Sequence, residues 1–178
     1  MSKPAADFVI FPAGPSDDED LARVHVTSWR ETYRGLLPDG YLAAMNEAVH
    51  ARRFHRALIR RETDEVILAA ADRWGIFGYA QAMPSRRRRE GEAEIATLYV
   101  LRAAQGLGVG QMLVRGCARA MAAQGSTSLM ISVLRDNIRA RGFYEHLGGQ
   151  AEAPRPEMGP GGVLYEVSYI WPDIRVLT

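Results

Sequence analysis

Cysteine is almost missing from this chain. Cys117 is the single one in 178 residues, so an intramolecular disulfide is impossible and cysteine-built zinc or iron–sulfur sites are excluded. Missing too is any run of about 18 uncharged apolar residues, the length a membrane-spanning helix needs. The opening residues, Met1 to Asp7, hold no apolar core of the kind a signal peptide carries. No charge sign dominates either: 22 basic side chains stand against 21 acidic ones, a formal net charge of +1. That balance argues against a nucleic-acid or membrane module held by bulk charge. A soluble, cytoplasmic protein is the expectation. What is present is ordinary globular composition, 47% hydrophobic and 24% charged, unlike that of a disordered chain. The length implies one domain over residues 1–178, large enough to need no metal or disulfide staple. The four histidines, His25, His50, His55 and His146, show no metal-ligand spacing, so no metal is expected.

Periodicity organises the chain. Phe8 to Phe11 is a short β-prone run stopped by Pro12 and Pro15. Acidic residues at 17–20 suit a helix start. Leu21, Val24 and Ser28 with Ala22, Val26 and Trp29 recur at helical spacing, which predicts an amphipathic helix over roughly 17–34. Gly35 and Pro38 to Gly40 break it, and a second helical stretch runs from 39 to 60. Residues 64–71 and 76–83 read as a β-hairpin. Pro84 and four arginines, Arg86 to Arg89, form a loop. From Glu92 to Leu101 the alternation predicts Ile95, Thr97 and Tyr99 on one sheet face, with Glu94, Ala96, Leu98 and Val100 on the other. A glycine-rich turn, Gln105 to Gly110, then opens a helix carrying Met112, Leu113, Gly116, Ala120 and Met121, which Gly125 can cap. A strand at 128–134, a short helix at 137–147 and strands near 150–153 and 163–170, flanking a Pro/Gly-rich connection, complete the pattern. The order β-αα-ββ-β-α-β-α-ββ gives an α/β fold: one mixed sheet of six to seven strands flanked by about four helices.

The glycine turn carries the most chemical information. The first-turn N–H groups of a helix lack intrahelical partners, and Gly106, Gly108 and Gly110 remove Cβ atoms where a ligand must approach closely. Together they make an anion site, in which each charged hydrogen bond is worth about 1.5–3 kcal/mol and the helix dipole adds about 0.3–1. A plain, tightly packed strand–helix turn is the competing reading. Other phosphate loops fail by inspection. Gly110 is followed by Gln111 and Met112, not by the Lys-Ser/Thr of a Walker A loop, and a dinucleotide fingerprint starting at Gly106 needs glycine where Gln111 stands. The pattern that fits is Gln/Arg-x-x-Gly-x-Gly/Ala, filled by Gln105, Gly108 and Gly110.

Residues 94–148 resemble the acyl-CoA-binding core of the GNAT superfamily of N-acetyltransferases. Three features carry the likeness: the strand from Glu94 to Val100, the turn from Gln105 to Gly110, and Asn137-x-x-Ala140-x-x-Phe143-Tyr144-x-x-Leu147-Gly148. Gly149 replaces the family's usual final aromatic. Ser28-Trp29-x-x-x-Tyr33-x-Gly35 with Pro38, and Tyr169-x-Trp171-x-Asp173, are familiar from small bacterial members, so the likeness spans nearly the whole chain.

The resemblance implies acetyl-CoA as cofactor and an acetyl group moved directly to a primary amine of a small molecule, a protein N-terminus or a lysine. It implies that Gln105, Gly106, Leu107, Gly108, Val109, Gly110 and Gln111 hold the pyrophosphate. The pantetheine arm then lies along the backbone of Leu98, Tyr99 and Val100, where one N–H faces the thioester oxygen, a contact worth about 2.7–4 kcal/mol in measured cases. Tyr144 is the candidate general acid, since a phenol is protonated at neutral pH; packing is its alternative role. Asn137 is a natural helix cap, and the likeness implies that its amide also touches the CoA arm. Glu94 matches the strand glutamate that serves some members as base, though it also reads as an ordinary strand residue. Trp29 and Tyr33 share a helical face and read either as core or as an aromatic wall for the acceptor. Arg86 to Arg89 read as a solvated loop, or as an attractor of an acidic substrate or the CoA 3′-phosphate. Cys117 reads as packing, and Thr97 as a β-former. No nucleic acid or membrane partner is expected, and a homodimer stays open. A non-catalytic acyl-CoA sensor on the same fold is the rival function.

Overall fold

The computed structural model describes residues 7–60, 64–87 and 89–178. Arg88 of the arginine loop and the opening residues 1–6 lie outside the described residues. The strands are β1 (Val9–Pro12), β2 (Val66–Asp72), β3 (Gly75–Pro84), β4 (Glu92–Val100), β5 (Ser128–Leu134), β6 (Gln150–Ala151), β7 (Arg155–Gly159) and β8 (Gly162–Trp171). They form one sheet in the order β1-β2-β3-β4-β5-β8-β6, with β7 also paired to β8. Among the described strands β4 and β5 are the one parallel pair; every other pairing is antiparallel. The helices are α1 (Asp18–Thr32), α2 (Asp39–Ala44), α3 (Glu47–Ile59), α4 (Val109–Ala123) and α5 (Ile138–His146).

The expected α/β class holds, with eight strands among the described residues in place of six to seven and five α-helices in place of about four. The stretch from 39 to 60 is two helices because Met45 and Asn46 are extended, and the Asn46 side chain accepts from the Val49 N–H. Asparagine offers the backbone a competing partner and so starts a new helix. The added strand, β7, arises inside the Pro/Gly-rich connection. It is an edge strand turned back at Gly161 and Gly162, both at positive φ, and an edge tolerates the missing N–H of Pro156.

Helices cover both sheet faces. Leu68 pairs with Ala80 and faces α4, where it packs closely on Gly116: a Cβ there would come within 2.7 Å of Leu68 Cδ1 and push that side chain aside. Leu113, Val114, Cys117 and Met121 of α4 are fully buried on that side. Burial pushes the Cys117 thiol up to about 12, which suits packing and not nucleophilic attack. Gly125, at positive φ, ends α4 as the spacing implies. The opposite face carries Tyr79, covered by α1 and α3 through His25 and Phe54.

Strand β4 departs from simple alternation. Gln81 pairs with Thr97, but Ala82 pairs with Ile95, so Ala96 is an extra residue. A bulge of this kind moves every residue beyond it to the other face. Glu94, opposite Met83, therefore shares the α1 face with Thr97 and Tyr99, whereas Ile95 joins Leu98 on the α4 face. This corrects the grouping expected from the alternation.

His25 locks α1 to the sheet. Its Nδ1 lies 2.6 Å from the Tyr79 hydroxyl, and its ring packs on His50 at 4.5 Å. Burial, reinforced by His50 and Arg53, lowers its pKa from 6.5 to about 3. The unfolded chain binds a proton on this imidazole below pH 6.5 and the folded chain does not. His25 therefore draws stability away as pH falls from about 6.5 to about 3, by at most about 1.4 kcal/mol per pH unit. Urea midpoints followed from pH 7 to 4.5 should fall more steeply for the unaltered protein than for His25→Gln. Parallel curves would mean that His25 protonates as readily folded as unfolded.

Candidate active site

The site begins where two parallel strands part. Strands β4 and β5 pair through Glu92–Ser128, Ala93–Leu129, Glu94–Met130 and Ile95–Ile131, and then stop. Strand β4 continues to Val100 along β3, and β5 continues to Leu134 along β8. Each strand is held on its outer edge, so the gap opens between them. The resulting cleft has a volume of about 670 Å³. Its walls are Ala96 to Val100 on one side and Ile131, Ser132 and Val133 on the other.

A helix start closes one end of this cleft. After β4 the chain makes a short 3-10 turn, Arg102–Ala104, and enters the glycine turn. Gln105 Nε2 donates to the Val100 carbonyl at 2.8 Å, bracing the turn against the strand. Gly106 and Gly108 have φ of +82° and +79°, and nothing lies within 4 Å of where their Cβ atoms would be. Gly108 is the N-cap of α4 and no side chain caps this helix. The first helical bond runs from Met112 N–H to the Gly108 carbonyl, so the N–H groups of Val109, Gly110 and Gln111 have no helical partner. Gly110 serves packing: a Cβ would meet Phe143 Cζ of α5 at 3.2 Å. Gln105, Gly106, Gly108, Val109, Gly110 and Gln111 all line the cleft, whereas the Leu107 side of the turn faces away from it.

Three phenols converge on the opening. Tyr144 of α5 is buried and lines the cleft, its ring packed on Tyr169 at 5.6 Å and on Trp171 at 6.5 Å. Burial, with Tyr33 adding to it, pushes its pKa up. Tyr33, the C-cap of α1, and Tyr99 of β4 line the same cleft with their hydroxyls 3.2 Å apart. Burial raises both of their pKa values as well. The side chain of Tyr99 is a feature the sequence reading missed, having used that residue only for its backbone. Asn137 caps α5, its Oδ1 accepting from Ala140 N–H at 3.2 Å, and still lines the cleft.

Two expected residues stand back from the cleft. Trp29 does not line it; the indole packs edge-on behind Tyr33 at 4.9 Å. Glu94 lies one step below the point where the strands part, almost wholly buried. Its Oε2 accepts from the Arg86 backbone N–H at 3.0 Å and its Oε1 from Arg86 Nε at 2.6 Å. Arg86 is thus an exposed loop charge that also pairs with a buried carboxylate. Arg87 donates to Glu152 at 2.7 Å and to the Ser168 hydroxyl, and Arg89 pairs with Glu92 at 3.5 Å. The Arg87 hydrogen bond in turn holds the Glu152 carboxyl below its usual range. Arg102, Arg139 and His146 also line the cleft. No sequence pattern singled them out, since each is one polar residue at an element end.

This arrangement offers backbone donors for an anion, an open strand edge for an extended polar arm, and phenols at the far end. Residues 25–149 match the Acetyltransferase (GNAT) family. The chain is similar to the uncharacterised N-acetyltransferase YuaI of Bacillus subtilis (strain 168), at 30% identity over 90% of this chain and 91% of that protein. The PaiA N-acetyltransferase of Thermoplasma acidophilum, solved in complex with coenzyme A, shares the fold. Its TM-score is 0.72 at 19% identity, covering 93% of this chain and 99% of that one. YncA of Salmonella typhimurium, solved with its cofactor acetyl-CoA, has a TM-score of 0.70 at 17% identity, covering 92% of each chain. With most of its length inside the matched region and its parted strands set against a glycine-capped helix, the chain belongs to the GNAT family of acetyltransferases.

Proposed function

We propose that this protein moves an acetyl group from acetyl-CoA directly to a primary amine of a small molecule or of a protein N-terminus or lysine. The observation that carries the reading is the loss of β4–β5 pairing beside an uncapped, glycine-opened helix. The two relatives solved with coenzyme A and acetyl-CoA support it. The donor set suits such a group, because Gly106 and Gly108 leave a cradle that any side chain would fill.

The backbone N–H groups of Val109, Gly110 and Gln111 would bind the diphosphate, with the turn from Gln105 to Gly108 as its rim. The β5-facing backbone of Leu98, Tyr99 and Val100 would take the amide-bearing arm, aided by the Asn137 amide. When bound, acetyl-CoA supplies an activated acetyl thioester. A backbone N–H of the open strand edge would polarise the thioester carbonyl. Glu94, set back from the cleft, would accept a proton from the acceptor ammonium directly or through water, freeing the nitrogen lone pair for attack on the carbonyl carbon. As the carbon–sulfur bond breaks, the Tyr144 hydroxyl would donate its proton to the departing sulfur, and the second proton shed by the acylated nitrogen would restore the phenol. Its raised pKa keeps that proton in place across the neutral range. Tyr33 forms the acceptor wall, and Trp29 supports Tyr33 from behind. An enzyme drawing on acetyl-CoA, with no helix long and apolar enough to cross a membrane among its described residues, suits the cytoplasm.

A panel of primary amines assayed for free CoA thiol tests this reading. At least one amine should release thiol well above the rate of unassisted thioester hydrolysis; none doing so would leave only a CoA-binding protein. Tyr144→Phe should keep CoA affinity while lowering kcat by about 10²–10⁴-fold. An unchanged kcat where chemistry limits turnover would remove the phenol from the reaction. Glu94→Gln should depress the acidic limb of the pH–rate profile, and an unaltered profile and rate would return that carboxylate to a purely structural role.

A further inference from the structure

The Tyr144 phenol has no polar tether of its own. Its ring is the only buried side chain of α5, yet its hydroxyl makes no hydrogen bond among the described residues. Whatever fixes the helix and the ring therefore fixes that hydroxyl. Ala140 and Phe143 give α5 only a partly buried footing on the core. Two aromatic side chains of β8 hold it more firmly. The Trp171 indole Nε1 donates to the carbonyl of Leu147, the C-cap of α5, at 2.9 Å. Tyr169, fully buried, sets its hydroxyl between two α5 residues one turn apart. Arg141 Nε donates to that hydroxyl at 3.1 Å, and the hydroxyl donates to Glu145 Oε1 at 2.6 Å.

Sheet register ties Tyr169 to the opening of the cleft. Tyr169 pairs with Ile131 of β5, and Ile131 pairs with Ile95 in the last step before β4 and β5 part. On its other edge Tyr169 pairs with Ala151 of β6, so its backbone is held from both sides. Arg141 is held as well, since its second guanidinium contact reaches the Arg135 carbonyl, just past β5, at 3.1 Å. The Tyr169 hydroxyl thus joins a rigid row of the sheet, level with the parting point, to a short helix. Its two bonds oppose both a slide and a roll of α5, and either motion would carry the Tyr144 ring away. Proton transfer in a site of this kind needs groups held to within about 0.5 Å, and a misplacement of about 1 Å can cost about 10²-fold in rate.

We propose that Tyr169 is the positioning residue for Tyr144: by gripping Arg141 and Glu145, its hydroxyl sets α5 so that the Tyr144 phenol faces the parted edge of β4. The proposal rests on the acetyl-transfer reading of the cleft, with Tyr144 as its acid. Tyr169 itself does not line the cleft, and no bond forms or breaks there during transfer. Its effect passes entirely through the helix that carries Tyr144.

Two measurements test this, one of them without substrate. In protein carrying carbon-13 at the tyrosine Cζ atoms, Tyr144 gives the NMR signal that Tyr144→Phe lacks. Glu145→Met removes the acceptor from Tyr169 at a half-exposed position and keeps all seven tyrosines. It should move the Tyr144 signal, whereas Glu145→Gln, which keeps an acceptor, should leave it in place. With an amine that releases CoA thiol, Tyr169→Phe and Glu145→Met should each lower kcat by about 10- to 10²-fold. The Kd for coenzyme A should not move, and Glu145→Gln should restore the rate. In a Tyr144→Phe background, Tyr169→Phe should cost nothing further, because the two act as one unit. An unmoved Tyr144 signal in Glu145→Met, an unchanged kcat in both variants, or a second full loss on top of Tyr144→Phe would overturn the positioning role. A moved signal would uphold it and overturn the transfer reading instead, if Tyr144→Phe leaves kcat unaltered or no amine releases thiol.

Discussion

Everything chemical in this fold follows from a pairing that ends early. Strands β4 and β5 exchange backbone hydrogen bonds only as far as Ile95 and Ile131, although both run on, each clamped along its other edge. A parallel sheet is normally buried and fully paired. An unpaired peptide group taken from water costs about 1–3 kcal/mol, so the open edge must stay wet or be met by a ligand carrying its own donors and acceptors. The bulge at Ala96 adds to this constraint. It turns Glu94 to the same side as Thr97 and Tyr99, so a carboxylate and one of the cleft phenols share a face of this strand.

The electrostatics are shaped by burial more than by charge number. Tyr33, Tyr99 and Tyr144 all have their phenolate forms penalised by desolvation, which leaves three neutral hydroxyls at the mouth of the gap. Carboxylates nearby are almost all committed to arginines: Glu94 to Arg86, Glu152 to Arg87, Glu92 to Arg89. Glu166 is the exception, half-buried, its carboxyl pushed up by burial and by Glu157.

Much of this was legible in the sequence, for identifiable reasons. The turn from Gln105 to Gly110 announced itself because positive φ and close approach demand glycine, and Asn137 because a cap has a restricted residue set. The bulge was not legible: a single extra residue preserves the look of alternation while reversing the faces beyond it. The break at Met45 and Asn46 hid inside an otherwise helical composition, and β7 hid behind Pro156. Helical spacing put Trp29 and Tyr33 on one face but could not say that Tyr33 would reach the cleft and Trp29 stand behind it. Of the arginine run, Arg87 could not be placed from the sequence, because its partners Glu152 and Ser168 are distant along the chain and meet it only through sheet order.

The most direct test is a two-dimensional nitrogen–proton NMR titration with coenzyme A. The account predicts saturable shifts in the backbone amides of Val109, Gly110 and Gln111, together with those of Leu98 to Val100, at one common affinity. Coenzyme A binding with those amides unmoved would contradict it.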